Sequence, residues 1–183
     1  MPADPTTSRQ SPSARETELL EAAYDYVLEH GLSDLSLRPL AAAIGSSPRV
    51  LLFLFESKDG LVRRLLARAR EDELAWLEQY DAGGGASDAT RRIWDWLAAP
   101  EHDRLLRLWV ESYARSLLDP AGPWGEFARV TVEDWLRLLG EAQPESTLIL
   151  AALRGALLDL LATGDRDRTS AAVDRLAELL GDR

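Results

Sequence analysis

The sequence predicts an all-α protein, and three observations carry that prediction. Apolar residues recur at the three- and four-residue spacing of one helix face through most of the chain. No segment alternates polar and apolar residues as a half-buried strand does. Ser, Pro and Gly stand where helices begin and end, with no internal repeat between them.

The first helix opens on Ser13, whose hydroxyl can accept the Glu16 amide while the Glu16 carboxylate reaches back, a capping box. Leu19, Leu20, Ala23, Tyr24, Val27 and Leu28 mark its apolar face until Gly31 ends it. A short second helix runs from a cap at Ser36 to about Ala43, with Pro39 in its first turn, where a missing N–H costs nothing. Gly45 then permits a sharp turn. Ser47 followed by Pro48 is an N-cap with proline at the first helical position, opening a brief third helix to about Phe55. Ser57 caps a fourth, which continues through Leu61, Leu65, Leu66, Ala69, Leu74 and Leu77 to about Tyr80. Gly83, Gly84 and Gly85, between Ala82 and Ala86, form a flexible joint. Beyond it, helices are expected at 88–98, 102–118, 125–140, Pro144–Thr163 and 168–180. Their breaks are Pro100, the segment 119–123, the segment 140–144, and Gly164 with Asp165.

Composition removes several classes of chemistry. The chain has 183 residues, enough for a sizeable core, and its 46% hydrophobic content argues against wholesale disorder. It has no Cys, which excludes disulfides, thiolate metal sites and Cys nucleophiles. Only His30 and His102 could serve a His-based metal site or general base, and neither lies in a recognisable motif, so no enzyme, metal or cofactor is expected. The longest apolar stretch, 148–162, is interrupted by Arg154 and Asp159, so no membrane span is expected. Residues 1–13 lack the apolar segment of a secretory signal; they read as a disordered arm on a cytoplasmic protein.

The net charge of −10 speaks at first against a polyanionic partner. Residues 1–70, however, hold nine cations and nine anions, so the whole acidic excess lies beyond them. An N-terminal module could therefore approach nucleic acid while the remainder stays solvated.

Two short helices about a tight turn, braced by a preceding helix, form a helix-turn-helix unit. Leu37, Leu40, Ala41 and Ile44 are expected to pack on Leu51 and the first helix, leaving Pro48, Arg49 and Val50 to project outward. On duplex DNA such a helix enters the major groove and reads base edges.

The runs SLRPLAAAIG at 36–45 and LLFLFESKDGL at 51–61 resemble the N-terminal signature of the TetR family of transcriptional regulators, over roughly residues 14–66. The run LRGALLDLLATGDR at 153–166 resembles the last two helices of actinobacterial-type members. The resemblance implies a DNA-binding domain at 14–57 and a ligand-binding and dimerisation domain at 58–183. It implies DNA contacts from Ser36, Arg38, Ser47, Pro48, Arg49, Val50, Leu52, Phe53 and Lys58. Among these, Ser36 would meet a phosphate with its helix-terminal amides. Arg49 would grip guanine, Val50 would touch a thymine methyl, and Lys58 would hold a phosphate as a point charge. Two positions depart from the family pattern: Leu52 stands where Tyr is usual, and Leu54 where His is frequent. Three readings stay open at this point. In the first, Leu52, Phe53 and Leu54 make thymine-methyl and sugar contacts; in the second, DNA affinity is weak; in the third, the unit has drifted from DNA and the chain is an all-α ligand-binding or interaction module.

The C-terminal part is rich in Trp, with Trp109 and Tyr113 one helical turn apart and Leu105 a turn earlier. An apolar pocket with a few polar groups is expected from Trp94, Leu105, Trp109, Ser112, Tyr113, Phe127, Thr131 and Trp135. Such a pocket suits a small hydrophobic or aromatic effector, and TetR-like regulators bind effectors in this region. The Pro144–Thr163 helix is apolar nearly all round. Leu148, Ile149, Ala152, Leu153, Ala156, Leu157, Leu160 and Leu161 make one stripe, and Ala151, Gly155 and Ala162 a second. One chain can cover only one of them. The second therefore predicts a homodimer through Pro144–Thr163 and 168–180. With such a dimer, the resemblance implies a repressor released from a palindromic operator by its effector.

Overall fold

The computed structural model describes residues 13–32, 35–78, 85–140 and 144–181, with the main chain alone at 73–74 and 76–78. The expected N-terminal arm up to residue 12, the glycine joint up to residue 84, and the side chains of Leu74, Trp76 and Leu77 lie outside that description. Among the described residues every regular element is helical: α1 Ala14–His30, α2 Leu37–Ala43, α3 Pro48–Phe55, α4 Lys58–Glu78, α5 Gly85–Leu97, α6 Asp103–Leu118, α7 Phe127–Leu138, α8 Pro144–Thr163 and α9 Arg166–Gly181. A single 3₁₀ turn, Pro100–His102, leads into α6.

Local chemistry accounts for the first four helices. The Glu16 amide donates to Ser13 Oγ at 3.1 Å, and the Val50 amide donates to Ser47 Oγ at 3.3 Å with Pro48 at the start of α3. The Gly60 amide donates to Ser57 Oγ at 2.9 Å in the first turn of α4. Ser36 differs from expectation: it stands at the N-cap of α2, but its hydroxyl makes no capping bond and only its carbonyl is used, by the Leu40 amide. Helices α5, α7 and α9 start two or three residues from the expected positions, whereas α8 starts at Pro144 as expected. Ser116 Oγ donates to the Gly125 carbonyl and accepts the Ala128 amide, both at 3.1 Å, so α7 begins at Phe127 rather than Gly125.

The turn between α2 and α3 bends the chain by 102° across residues 44–47. Gly45 sits there at φ +63°, a backbone region that side chains disfavour. The joint between α3 and α4 is tighter. The Ser57 amide donates to the Phe55 carbonyl at 2.7 Å, and Glu56 between them is held at φ 64°, a γ-turn geometry that stores strain. A Cβ at Gly60 would stand 2.0 Å from the Phe55 carbonyl oxygen, so only glycine lets α4 start this close to α3. Helices α3 and α4 therefore meet at a short, close-packed joint.

Two cores fill the molecule. The first joins Tyr24 and Val27 of α1, Leu40 of α2, Leu51 and Phe55 of α3, and Leu61 and Leu65 of α4, and runs on to Leu108, Trp124 and Phe127. The second joins Ile93 and Trp96 of α5, Leu106 of α6, Trp135 of α7, Leu153 and Leu157 of α8, and Val173 of α9. On α1 and α4, Arg68 bridges Glu21 and Asp72, and the Tyr24 hydroxyl donates to Asp72 at 2.9 Å. Burial first, and then the Asp72 carboxylate, push the Tyr24 phenol well above its ordinary pKa, so it stays a donor.

Helix α8 is long and apolar enough to cross a membrane by length and composition, despite Arg154 and Asp159. In the fold it is a packing helix, set against α5, α7 and α9.

Candidate functional site

The helix-turn-helix unit presents one face of α3. Leu51 and Phe55, four residues apart, are buried and anchor the helix. Ser36, Arg38, Ser47, Arg49, Val50, Leu52, Phe53 and Lys58 are all exposed, and Pro48 is half-buried beside them. The predicted contact residues thus lie at the surface of α3 and of the starts of α2 and α4, both of which pack against α3.

Many arginines elsewhere pair with carboxylates, as Arg64 does with Glu16, Arg107 with Asp103, Arg129 with Glu126 and Glu133, and Arg168 with Asp159. Among the described residues, Arg38, Arg49 and Lys58 form no ion pair. Three exposed cations thus stand on and beside α3 without an ion pair, together with the exposed carboxylates of Glu56 and Asp59 that flank Lys58.

Below this lobe lies an apolar cavity walled by five helices. Ala69 of α4, Trp96 of α5, Leu105, Trp109 and Ser112 of α6, Phe127 and Trp135 of α7, and Leu153 and Arg154 of α8 line it. Its volume is about 30 Å³, room for about two waters. A benzene-sized guest needs roughly 150 Å³. The chamber is therefore too small for such a guest in this conformation.

Five of the eight predicted pocket residues meet there: Leu105, Trp109, Ser112, Phe127 and Trp135. Trp94 does not; its indole donates to Ser170 Oγ at 2.9 Å and ties α5 to α9. Tyr113 stands one layer back, stacked on Trp109 at 5.0 Å between centroids and accepting from Arg154 Nη1 at 3.3 Å. Thr131 is fully buried one turn from both Phe127 and Trp135, yet it does not reach the cavity, and its hydroxyl has no partner. The Trp109 indole N–H is also buried without an acceptor. The sequence reading missed Trp96, Leu153 and Arg154. The arginine interrupting an otherwise apolar stripe was a usable signal.

One ion pair links the cavity wall to α4. Asp134 of α7 is buried and accepts from Arg70 Nε at 2.7 Å and from Arg137 Nη1 at 2.9 Å. Arg70 follows Ala69, and Asp134 precedes Trp135, so each partner adjoins a cavity residue. No local signal in the sequence could pair residues 64 positions apart.

On the far side, α8 leaves a stripe uncovered. Leu148 is 53% exposed and Leu158 51%, with Ala151, Gly155 and Ala162 open between and beyond them. Leu148 therefore belongs to the outer face, not to the core stripe expected for it. A Cβ on Gly155 would meet nothing within 4 Å in the single chain. Arg168 of α9 makes a two-pronged pair with Asp159 of α8, both bonds 2.7 Å, and fixes the two helices together.

No family model matches the chain. The helix-turn-helix transcriptional repressor AcnR of Corynebacterium diphtheriae is 30% identical over 190 residues, which cover 95% of each protein. A transcriptional regulator from Rhodococcus shares the fold with TM-score 0.75 and 22% identity, over 90% of this chain and 95% of that one. The multidrug binding protein EbrR, solved with imidazole, shares it with TM-score 0.72 and 22% identity, over 97% of both. With a braced helix-turn-helix at one end, a helical chamber beneath it, and a repressor alike along its whole length, the chain belongs to the TetR family of transcriptional regulators.

Proposed function

We propose that this regulator is a homodimeric repressor that leaves a palindromic operator when a small hydrophobic or aromatic molecule enters the chamber. The observation that carries the reading is the position of α4. It is joined closely to the recognition helix through Glu56 and Gly60, and it walls the cavity through Ala69. A guest that opens the chamber pushes Phe127 and Trp135 away from Ala69, and the Arg70–Asp134 pair carries that displacement to α4. The effector then favours whichever spacing of the two recognition helices best admits it, and the operator favours the other.

Residues 14–57 would supply the DNA contacts and residues 58–183 the effector chamber and the dimer. The outer stripe of α8, with α9, would meet its copy across a two-fold axis. That arrangement sets two recognition helices about 34–36 Å apart, the repeat of the major groove. EbrR's multidrug binding and its complex with imidazole support a small-molecule ligand for this fold. A regulator acting on chromosomal DNA would work in the cytoplasm.

Selection of bound fragments from genomic DNA by the purified full-length protein tests the proposal. Recovery of a palindromic sequence supports it. Enrichment of no duplex rejects it and leaves the ligand-binding module without DNA activity as the better reading.

A further inference from the structure

We infer that the operator half-site carries adjacent thymines, recognised by contact of Val50, Leu52 and Phe53 with their C5-methyl groups. This rests on the reading of the chain as a duplex-DNA-binding regulator and specifies what that duplex looks like.

The outward face of α3 bears Arg49, Val50, Leu52 and Phe53. The last three are 39%, 42% and 83% exposed, and none of them has a hydrogen-bonding side chain. In the major groove, guanine presents N7 and O6, cytosine its amino group, and adenine N7 and its amino group. The thymine methyl is the one apolar group on these edges. Pressing three hydrocarbon side chains onto G·C pairs would strip water from donors and acceptors and return no hydrogen bond. Pressing them onto thymine methyls removes apolar surface from water on both sides. The apolar strip therefore selects thymine and selects against G·C at the pairs it covers. Arg49, the single outward residue of α3 with donors, is left to grip a guanine beside the thymines.

The surroundings say which partner covers the strip. Among the described residues, Arg38, Arg49 and Lys58 of the same three helices form no ion pair, with the exposed Glu56 and Asp59 flanking Lys58, whereas the chain beyond residue 70 carries all of the acidic excess. An apolar strip accompanied by cations outside any ion pair fits the methyl-lined floor and phosphate walls of a major groove.

The test uses the full-length protein and random-sequence duplex DNA. The recovered palindrome is expected to hold two or more adjacent thymines in each half-site. Replacing those thymines with deoxyuridine removes the methyls alone, and should weaken binding about three- to five-fold for each contacted methyl. Deoxyuridine outside the half-sites should change nothing. Phe53→Ser and Val50→Ser, both at exposed positions, should bind the thymine and uracil operators more nearly alike, whereas Lys58→Ala should weaken both equally. A palindrome without thymine runs, or one indifferent to deoxyuridine, overturns this inference and leaves the regulator reading intact. Enrichment of no duplex overturns both. Loss of the protein's oligomeric state in Phe53→Ser, with thymine discrimination unchanged, would place the strip in a protein contact and also overturn it. The deoxyuridine comparison needs only the natural chain, so it decides the matter even if a variant misfolds.

Discussion

The outer faces of α3 and α8 are both apolar and both uncovered in the single chain, yet under the proposed function they meet different partners. On α3 the exposed side chains are large, and cations without an ion pair stand on and beside the helix. On α8 the stripe is narrow-chested, with Ala151, Gly155 and Ala162 between leucines, and its neighbouring charges Asp159 and Arg168 already satisfy each other. Large groups with free charge suit a deep polyanionic groove. Small groups with neutralised charge suit a second backbone at close range. The same hydrophobic exposure thus carries opposite meanings, and the electrostatics around it decide which.

The largest expected effect comes from filling the close-approach face. A Cβ at Gly155 meets no atom of its own chain within 4 Å, and Gly155→Leu replaces a poor helix former at an exposed position, so the monomer should keep its fold or gain about 1 kcal/mol. The dimer should weaken at least ten-fold in sedimentation equilibrium, and operator binding should fall with it. A variant that stays fully dimeric would remove α8 from the interface.

Next comes the tie between α4 and α7. Arg70→Ala leaves the buried Asp134 carboxylate with Arg137 alone and should cost about 2 kcal/mol in urea unfolding. In the same variant, operator binding should persist while its release by effector is blunted. Loss of stability without loss of release would reduce the pair to a structural role.

On the other face, Arg49→Ala should cost about 1–3 kcal/mol against the selected operator and relax base preference at one position. Lys58→Ala should weaken all sequences alike and lower the salt slope by about one. Salt-titrated binding to matched and mismatched duplexes separates the two.

The smallest effect concerns the α8–α9 pair. The hydrogen bond from Arg168 holds the Asp159 carboxyl below its ordinary pKa. A lowered folded value stabilises the protein above the ordinary carboxylate range, near pH 4, and that contribution is lost as pH falls through the folded value. The natural chain should therefore melt slightly above Asp159→Asn at pH 7, and the two should converge as the pH drops below 4. Equal melting at pH 7 would show the pair is idle.

The sequence carried far at the N-terminal lobe and less far in the bundle, for a physical reason visible in single residues. Ser13, Ser47, Pro48, Gly45 and Leu51 act within one or two turns of themselves, so local pattern was enough to place α1, α3 and the turn. The pocket depended on rotations that no local pattern sets. Trp94 and Trp96 differ by two positions on one helix, and Trp96 faces the cavity while Trp94 bonds to Ser170. Leu148 fits an apolar stripe on either side of α8, and the packing of α5, α7 and α9 chose the side.

From the sequence alone came the helical class, the helix-turn-helix with its outward Arg49, and the family, because caps, turns and apolar periodicity act over a few residues. Tertiary structure alone decided that the chamber is closed at about 30 Å³, that Asp134 joins Arg70, and that α8 shows Leu148 to the outside. Those features arise where helices distant in the chain meet, and packing between distant segments fixes the volumes and pairings that local preference leaves free.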